Sequence, residues 1–143
     1  MSSRAAPETA DRLHSVAIHL LRRLRREDDA SGLPAPQLSA LSVLVFAGPQ
    51  TLGALAAAEQ VRPPTITRLI KTLEAAGLVE REVDAADRRV TRIQATARGI
   101  RLLHEGRRRR VASLSASLRE LSARDRGLVE RALPVIERLA KGG

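Results

Sequence analysis

Apolar residues recur at helical spacing through the first part of the chain. Leu13, Val16, Ala17, Leu20, Leu21 and Leu24 follow the three-and-four-residue repeat of a helix with one apolar face. The other face carries Arg22, Arg23, Arg25 and Arg26, and Gly32, Pro34 and Pro36 in "SGLPAP" end the element. A second helix turns Leu38, Leu41, Leu44 and Val45 inward and stops at "AGPQ". Thr51 then occupies the N-cap position of a short alanine-rich helix, "LGALAAAEQ". After a brief turn at Val61 and Arg62, Pro63 and Pro64 open the next helix, where proline is tolerated because first-turn amides have no intrahelical partner anyway. Its inner stripe is Ile66, Leu69, Ile70 and Leu73, and Gly77 reads as its left-handed C-terminal cap.

The period then changes. "LVEREV" (78–83) and "VTRIQA" (90–95) read as two short strands with a tight connection; in the second, Thr91, Ile93 and Ala95 alternate with Arg92 and Gln94. Thr96 caps a long helix running to about residue 120. "SARD" (122–125) starts a last helix ending near Lys141, and Pro134 inside it is expected to kink or split it. The pattern predicts a mainly α fold with one small β-hairpin, four helices before it and two after. No internal repeat or low-complexity linker interrupts it.

Composition narrows the function. A chain of 143 residues is about one domain. Cysteine is absent, which excludes disulfides, thiolate zinc sites, cysteine nucleophiles and thiol-based oxidant sensing. No apolar run approaches the roughly 18 residues that span a bilayer, and the N-terminus lacks a signal-peptide core, so a cytoplasmic protein without a membrane partner is expected. A net charge of +9 and a pI near 11.6 point to a polyanionic partner. Phe46 is the single aromatic residue, so base stacking has almost nothing to work with and double-stranded DNA becomes the favoured polyanion. A glycine-rich phosphate loop, metal-spaced His/Asp/Glu clusters and a credible Ser-His-Asp set are all missing, so no enzyme, cofactor or metal is expected.

The helix opened by the two prolines carries the chemistry. Wound at about 100° per residue, Pro64, Thr65, Thr67, Arg68, Lys71 and Thr72 fall opposite the apolar stripe, with Arg68 diametrically opposed. That face has no carboxylate; Glu59 and Glu74 only flank it. It offers a guanidinium for guanine edges or phosphate, an ammonium for phosphate, and hydroxyls for phosphates and thymine methyls. A short helix and a three-residue turn before it complete a helix-turn-helix layout. In the hairpin, "DAADRR" puts Asp87, Arg88 and Arg89 at the tip, where an arginine can enter a narrow minor groove. Asp87 fits there if it holds Arg89 in place and so lowers the rotamer entropy lost on binding.

These residues resemble the MarR (multiple antibiotic resistance regulator) family of winged helix-turn-helix transcription factors. The hairpin signature of that family, Asp-x-Arg followed by an alternating strand, a threonine and a glycine, is similar to Asp87, Arg89, Ile93, Ala95, Thr96 and Gly99 here. Upstream, "PPTITRLIKTLEAAGLVERE" looks like the family's recognition helix and first wing strand. The helix order also matches, so the resemblance covers nearly the whole chain. It implies a winged helix-turn-helix whose N- and C-terminal helices form a dimerisation bundle, and a homodimer reading a pseudo-palindrome. By position it implies Pro64, Thr65, Thr67, Arg68 and Lys71 in the major groove and Asp87, Arg88 and Arg89 at the wing. The expected organisation is a dimerisation helix over 8–35, a DNA-binding domain over 36–96 (recognition helix 63–76, wing 78–95) and C-terminal dimer helices over 97–141. Arg62 and Pro63 depart from the family's usual serine cap and polar residue, and Ala95 replaces its usual leucine.

A repressor is the expected role, and the resemblance implies that a small molecule bound between dimer helices and DNA-binding lobe can release the DNA. The residues leave open either an aliphatic pocket for an apolar or anionic ligand, with His14, Ile18 and Phe46 as lining candidates and His19 nearby, or no ligand at all. Charge is not centred on the helix-turn-helix. Residues 50–95 hold seven basic and six acidic residues, net +1, whereas 96–120 hold seven and two, net +5, largely from Arg107–Arg110. That run points all round its helix and reads mainly as solvated. The competing reading is a nonspecific architectural DNA-binding protein, which leaves the carboxylate-free helix face unexplained.

Overall fold

The computed structural model describes residues 5–142. The chain falls into two compact units, Met1–Arg107 and Arg108–Gly143. In the first, α1 (Ala5–Arg25) runs into a 3₁₀ segment, Arg26–Ser31, closed by Gly32 in the left-handed region. Next come α2 (Ala35–Ala47), β1 (Gln50–Thr51), α3 (Leu52–Glu59), α4 (Pro63–Ala75), β2 (Val79–Val83), β3 (Thr91–Ala95) and the start of α5 (Ala97–Glu120). The second unit holds the rest of α5 and α6 (Ala123–Ala140). No single described helix is long and apolar enough to cross a membrane.

The core is wholly aliphatic. Leu41, Leu55, Ile66, Ile70, Leu73 and Ile93 are sealed from solvent, so α2, α3, α4 and β3 share one apolar centre. The predicted stripe of α4 is the buried one, with Leu69 half-buried at its margin. Burying a leucine or isoleucine contributes about 1.5–3 kcal/mol, so this centre fixes the pose of α4 without help from its outer face. The stripe on α1 behaves differently: no residue of that helix is buried.

Local capping follows the sequence closely. Thr51 Oγ1 accepts from Ala54 N at 3.1 Å at the head of α3. Ser122 Oγ accepts from Asp125 N at 3.1 Å at the head of α6. Gly77 closes α4 at φ 73°, with Leu78 N bonded to Leu73 O. Gln60 does the same work after α3 at φ 55°, a conformation that non-glycine residues seldom adopt. Pro134 does not split α6, which runs through it as one helix; a lone missing N–H costs one bond while the turns on either side hold.

The sheet departs from a simple hairpin. β1 is a two-residue strand lying antiparallel on β3, with Gln50 opposite Ile93 and Thr51 opposite Arg92. β3 is therefore the centre of a three-stranded sheet, and β2 pairs with its other edge, Val79 opposite Ala95 and Val83 opposite Thr91. Because Thr51 both ends β1 and caps α3, the sheet is tied directly to the helix-turn-helix. The connection between β2 and β3 is the seven-residue loop 84–90, where the sequence reading expected a tight turn.

Candidate nucleic-acid interface

The outer face of α4 is built from side chains that the core leaves outside. Arg68 and Lys71 are exposed, and neither side chain makes a hydrogen bond or ion pair among the described residues. The hydroxyls on this face are not equivalent. Thr67 Oγ1 donates to Pro63 O at 2.9 Å and Thr72 Oγ1 to Arg68 O at 3.1 Å, so both spend their proton inside the helix. Thr67 thus presents acceptor lone pairs and a methyl group, and Thr65 is the hydroxyl left uncommitted. Pro64 is exposed in the first turn.

The loop 84–90 has its own architecture, and its organiser is a residue the sequence reading passed over. Asp84 Oδ1 accepts from Ala86 N at 2.8 Å and Asp87 N at 3.2 Å, and its Oδ2 accepts from Arg92 Nη1 at 2.7 Å. Such a carboxylate imitates a backbone turn; the signal was Asp84 opening the polar run between two strands. Asp84 N bonds Val90 O and Val90 N bonds Asp87 O, closing the base of the loop. At its tip Asp87 grips Arg89 three ways: from Nε to Oδ1 at 3.1 Å, from Nη2 to Oδ2 at 3.2 Å, and from the backbone N–H at 3.1 Å. The guanidinium itself remains 91% exposed. Arg88 is exposed and unpaired among the described residues.

Asp87 and Arg89 are thus paired at the tip of the loop 84–90. A third ion pair, Arg81 to Glu74 at 3.0 Å, links β2 to α4.

Comparison with known proteins names this arrangement. Residues 33–91 match the sequence model of the MarR family. An HTH-type transcriptional regulator of Mycobacterium leprae (strain TN) is 35% identical over 127 residues, covering 89% of each chain. The chain belongs to the MarR family. A MarR family protein from Bacillus stearothermophilus superposes with a TM-score of 0.77 at 28% identity, over 99% of both chains. A mutant of the Staphylococcus aureus regulator MepR bound to an oligodeoxyribonucleotide shares the fold at a TM-score of 0.72 and 21% identity, covering 92% of this chain and 97% of that one. This MarR-family protein is accordingly a DNA-binding transcriptional regulator with the winged-helix fold.

The family signature has a physical basis here. Thr96 Oγ1 donates to Gly77 O at 2.6 Å and accepts from Gly99 N at 3.2 Å, while Thr96 N bonds Leu78 O. One threonine thus ties the end of α4 to the start of α5. Gly99 lies against the Leu78 carbonyl, where a Cβ would come within 2.2 Å of the oxygen.

His14 and Ile18 lie on α1 and Phe46 on α2. A groove on α1 is lined by Ser15, Val16, His19, Leu20 and Arg23, and His14, Ile18 and Phe46 are not among its lining residues. Phe46, at the end of α2, is 64% exposed. Among the described residues no group of three His, Asp or Glu could hold a metal. In the arginine run, Arg107 and Arg108 are exposed, whereas Arg109 and Arg110 are half-buried and engaged with partners.

Both carboxylates of the loop 84–90 titrate low. The N–H groups of Ala86 and Asp87, and then Arg92, hold Asp84 below the usual 3.8; the Arg89 guanidinium, and then its N–H, hold Asp87 there as well. A carboxyl depressed in the folded protein supports the loop above its ordinary value and releases it as pH falls through the lowered one. Amide chemical shifts of Ala86, Asp87 and Arg89, which bond these two carboxylates, are therefore expected to hold from neutral pH down to 3.8 and to collapse only below it. A transition near neutrality would contradict this account of the loop.

Proposed function

We propose that this regulator acts as a homodimeric repressor that sets α4 in the major groove and the loop 84–90 in the adjacent minor groove at each half of a pseudo-palindromic site. The observation that carries the reading is the carboxylate-free outer face of α4 beside a wing whose arginine is already held by Asp87. Thr65, Thr67, Arg68 and Lys71 contact bases and phosphates, and Arg89 enters the minor groove. The oligonucleotide bound by the MepR mutant, which shares the fold, agrees with it.

Fluorescence anisotropy on duplex DNA from upstream of its own gene, near about 150 mM salt and against shuffled competitor, tests the proposal. Specific binding about 10³-fold or more over random sequence, weakened by Arg89→Ala, is expected. Equal and weak binding to both duplexes would favour an architectural protein instead.

Dimerisation rests on apolar surface left exposed among the described residues. Val16, Leu20 and Leu21 are exposed on α1, and Leu128, Leu133, Ile136 and Leu139 on α6, while neither helix buries a single residue. Surface of this kind marks an interaction site. Leu20→Asp is expected to give a monomer in sedimentation and, through lost bivalency, to weaken operator binding by about 100-fold. A variant that stays dimeric would take α1 out of the interface.

A further inference from the structure

A helix start is ordinarily an anion site, because its first backbone N–H groups point outward with no partner in the helix. The start of α4 has lost that capacity. Pro63 and Pro64 occupy its first two positions and carry no N–H. The next two amides, of Thr65 and Ile66, both bond the Arg62 carbonyl, at 3.0 and 3.2 Å. Every backbone donor at this end is therefore either missing or spent.

The residue at the N-cap replaces what was removed. N-cap positions usually hold a short side chain that accepts from an orphan amide. With two prolines behind it, Arg62 has no orphan amide to satisfy, and its side chain makes no capping bond. It is exposed, in an extended backbone conformation at φ −76° and ψ 152°, and its guanidinium makes no hydrogen bond or ion pair among the described residues. Cations are scarce in the sequence on either side of it. Between residues 48 and 80 the chain holds Arg62, Arg68 and Lys71 as its basic residues, and α3 has none to contribute.

We propose that Arg62 is a DNA phosphate ligand, supplying the donors that Pro63 and Pro64 remove from the start of α4. This rests on the assignment of α4 as the DNA-reading helix. A guanidinium brings a full charge and five N–H groups where the helix would have offered partial charge alone. Arg62 suits phosphate better than a base edge. Base reading needs a side chain planted in fixed geometry, whereas Arg62 stands on the irregular residue before the helix with nothing orienting its tip; a charge contact needs only proximity.

The test is anisotropy over a salt series on two duplexes, one selected from a random pool for tight binding and one with its sequence shuffled. Arg62→Ala is expected to weaken both by a similar factor and to flatten the log–log salt slope by about 0.9, while Arg62→Lys keeps most of the slope. In a Pro63→Ala, Pro64→Ala background the amides return, and the loss caused by Arg62→Ala shrinks. A loss confined to the selected duplex would make Arg62 a base reader and overturn the proposal, as would no loss at all or an equal loss in the alanine background. Arg68→Ala and Lys71→Ala separate the two levels. If they weaken binding while Arg62→Ala does not, this inference alone fails; if all three are silent, α4 does not read DNA.

Discussion

Replacing Gly99 by alanine is expected to destabilise the protein by about 3 kcal/mol, at the upper end of overpacking costs. The new Cβ would stand 2.2 Å from the Leu78 carbonyl oxygen and 3.1 Å from Leu41 Cδ1. Leu41 could yield by a few tenths of an ångström, but the carbonyl cannot. It accepts from Thr96 N at 3.0 Å, and the carbonyl before it, of Gly77, is held by Thr96 Oγ1 at 2.6 Å. Relieving the clash therefore means pulling the start of α5 away from the end of α4, breaking the threonine bridge and uncovering Leu78 and Val79, both buried. For a chain of this size such a loss corresponds to a melting temperature lower by about 10 °C. Thermal unfolding followed by circular dichroism reads it directly. An unchanged midpoint would mean that the junction opens at little cost and that the tight packing seen here is not required.

Arg68→Ala should leave the fold intact and strip sequence recognition. Arg68 is exposed and supports nothing else in the protein, while Ile66, Ile70 and Leu73 hold the helix from its other side. A guanidinium on a guanine edge makes two parallel hydrogen bonds, and its removal costs about 1–3 kcal/mol on the specific site, or roughly 5- to 150-fold in affinity. The comparison that matters is with random duplex. A base contact loses affinity on the specific site far more than elsewhere, whereas a phosphate contact loses it equally on both. An equal loss would move base reading to Thr65, Thr67 and Lys71, the other side chains on that face able to meet a base edge.

The elements that sequence resolves well are those whose causes lie within four residues. The stripe of α4 follows from helical period, and Thr51, Gly77 and Ser122 mark their helix ends through bonds to amides or carbonyls close by. What escapes has causes further away. β1 is two residues long and shows no alternation; it exists because β3 offers it an edge across some forty residues of chain. Asp84 sits among several polar loop residues, and only the folded loop shows that Ala86, Asp87 and Arg92 all converge on it. Periodicity announced an apolar face on α1 but cannot say what covers it.

Packing the centre from aliphatic side chains alone has a consequence for how the protein can be watched. With no tryptophan, no tyrosine and a single phenylalanine lying outside the core, the chain is nearly dark in the near ultraviolet. Its concentration cannot be read from the usual absorbance band, yet every near-ultraviolet signal in a mixture comes from whatever else is present. A tryptophan placed at Ala85, exposed beside the wing tip, would shine without background, and its quenching on mixing with DNA would time the arrival of the wing in its groove.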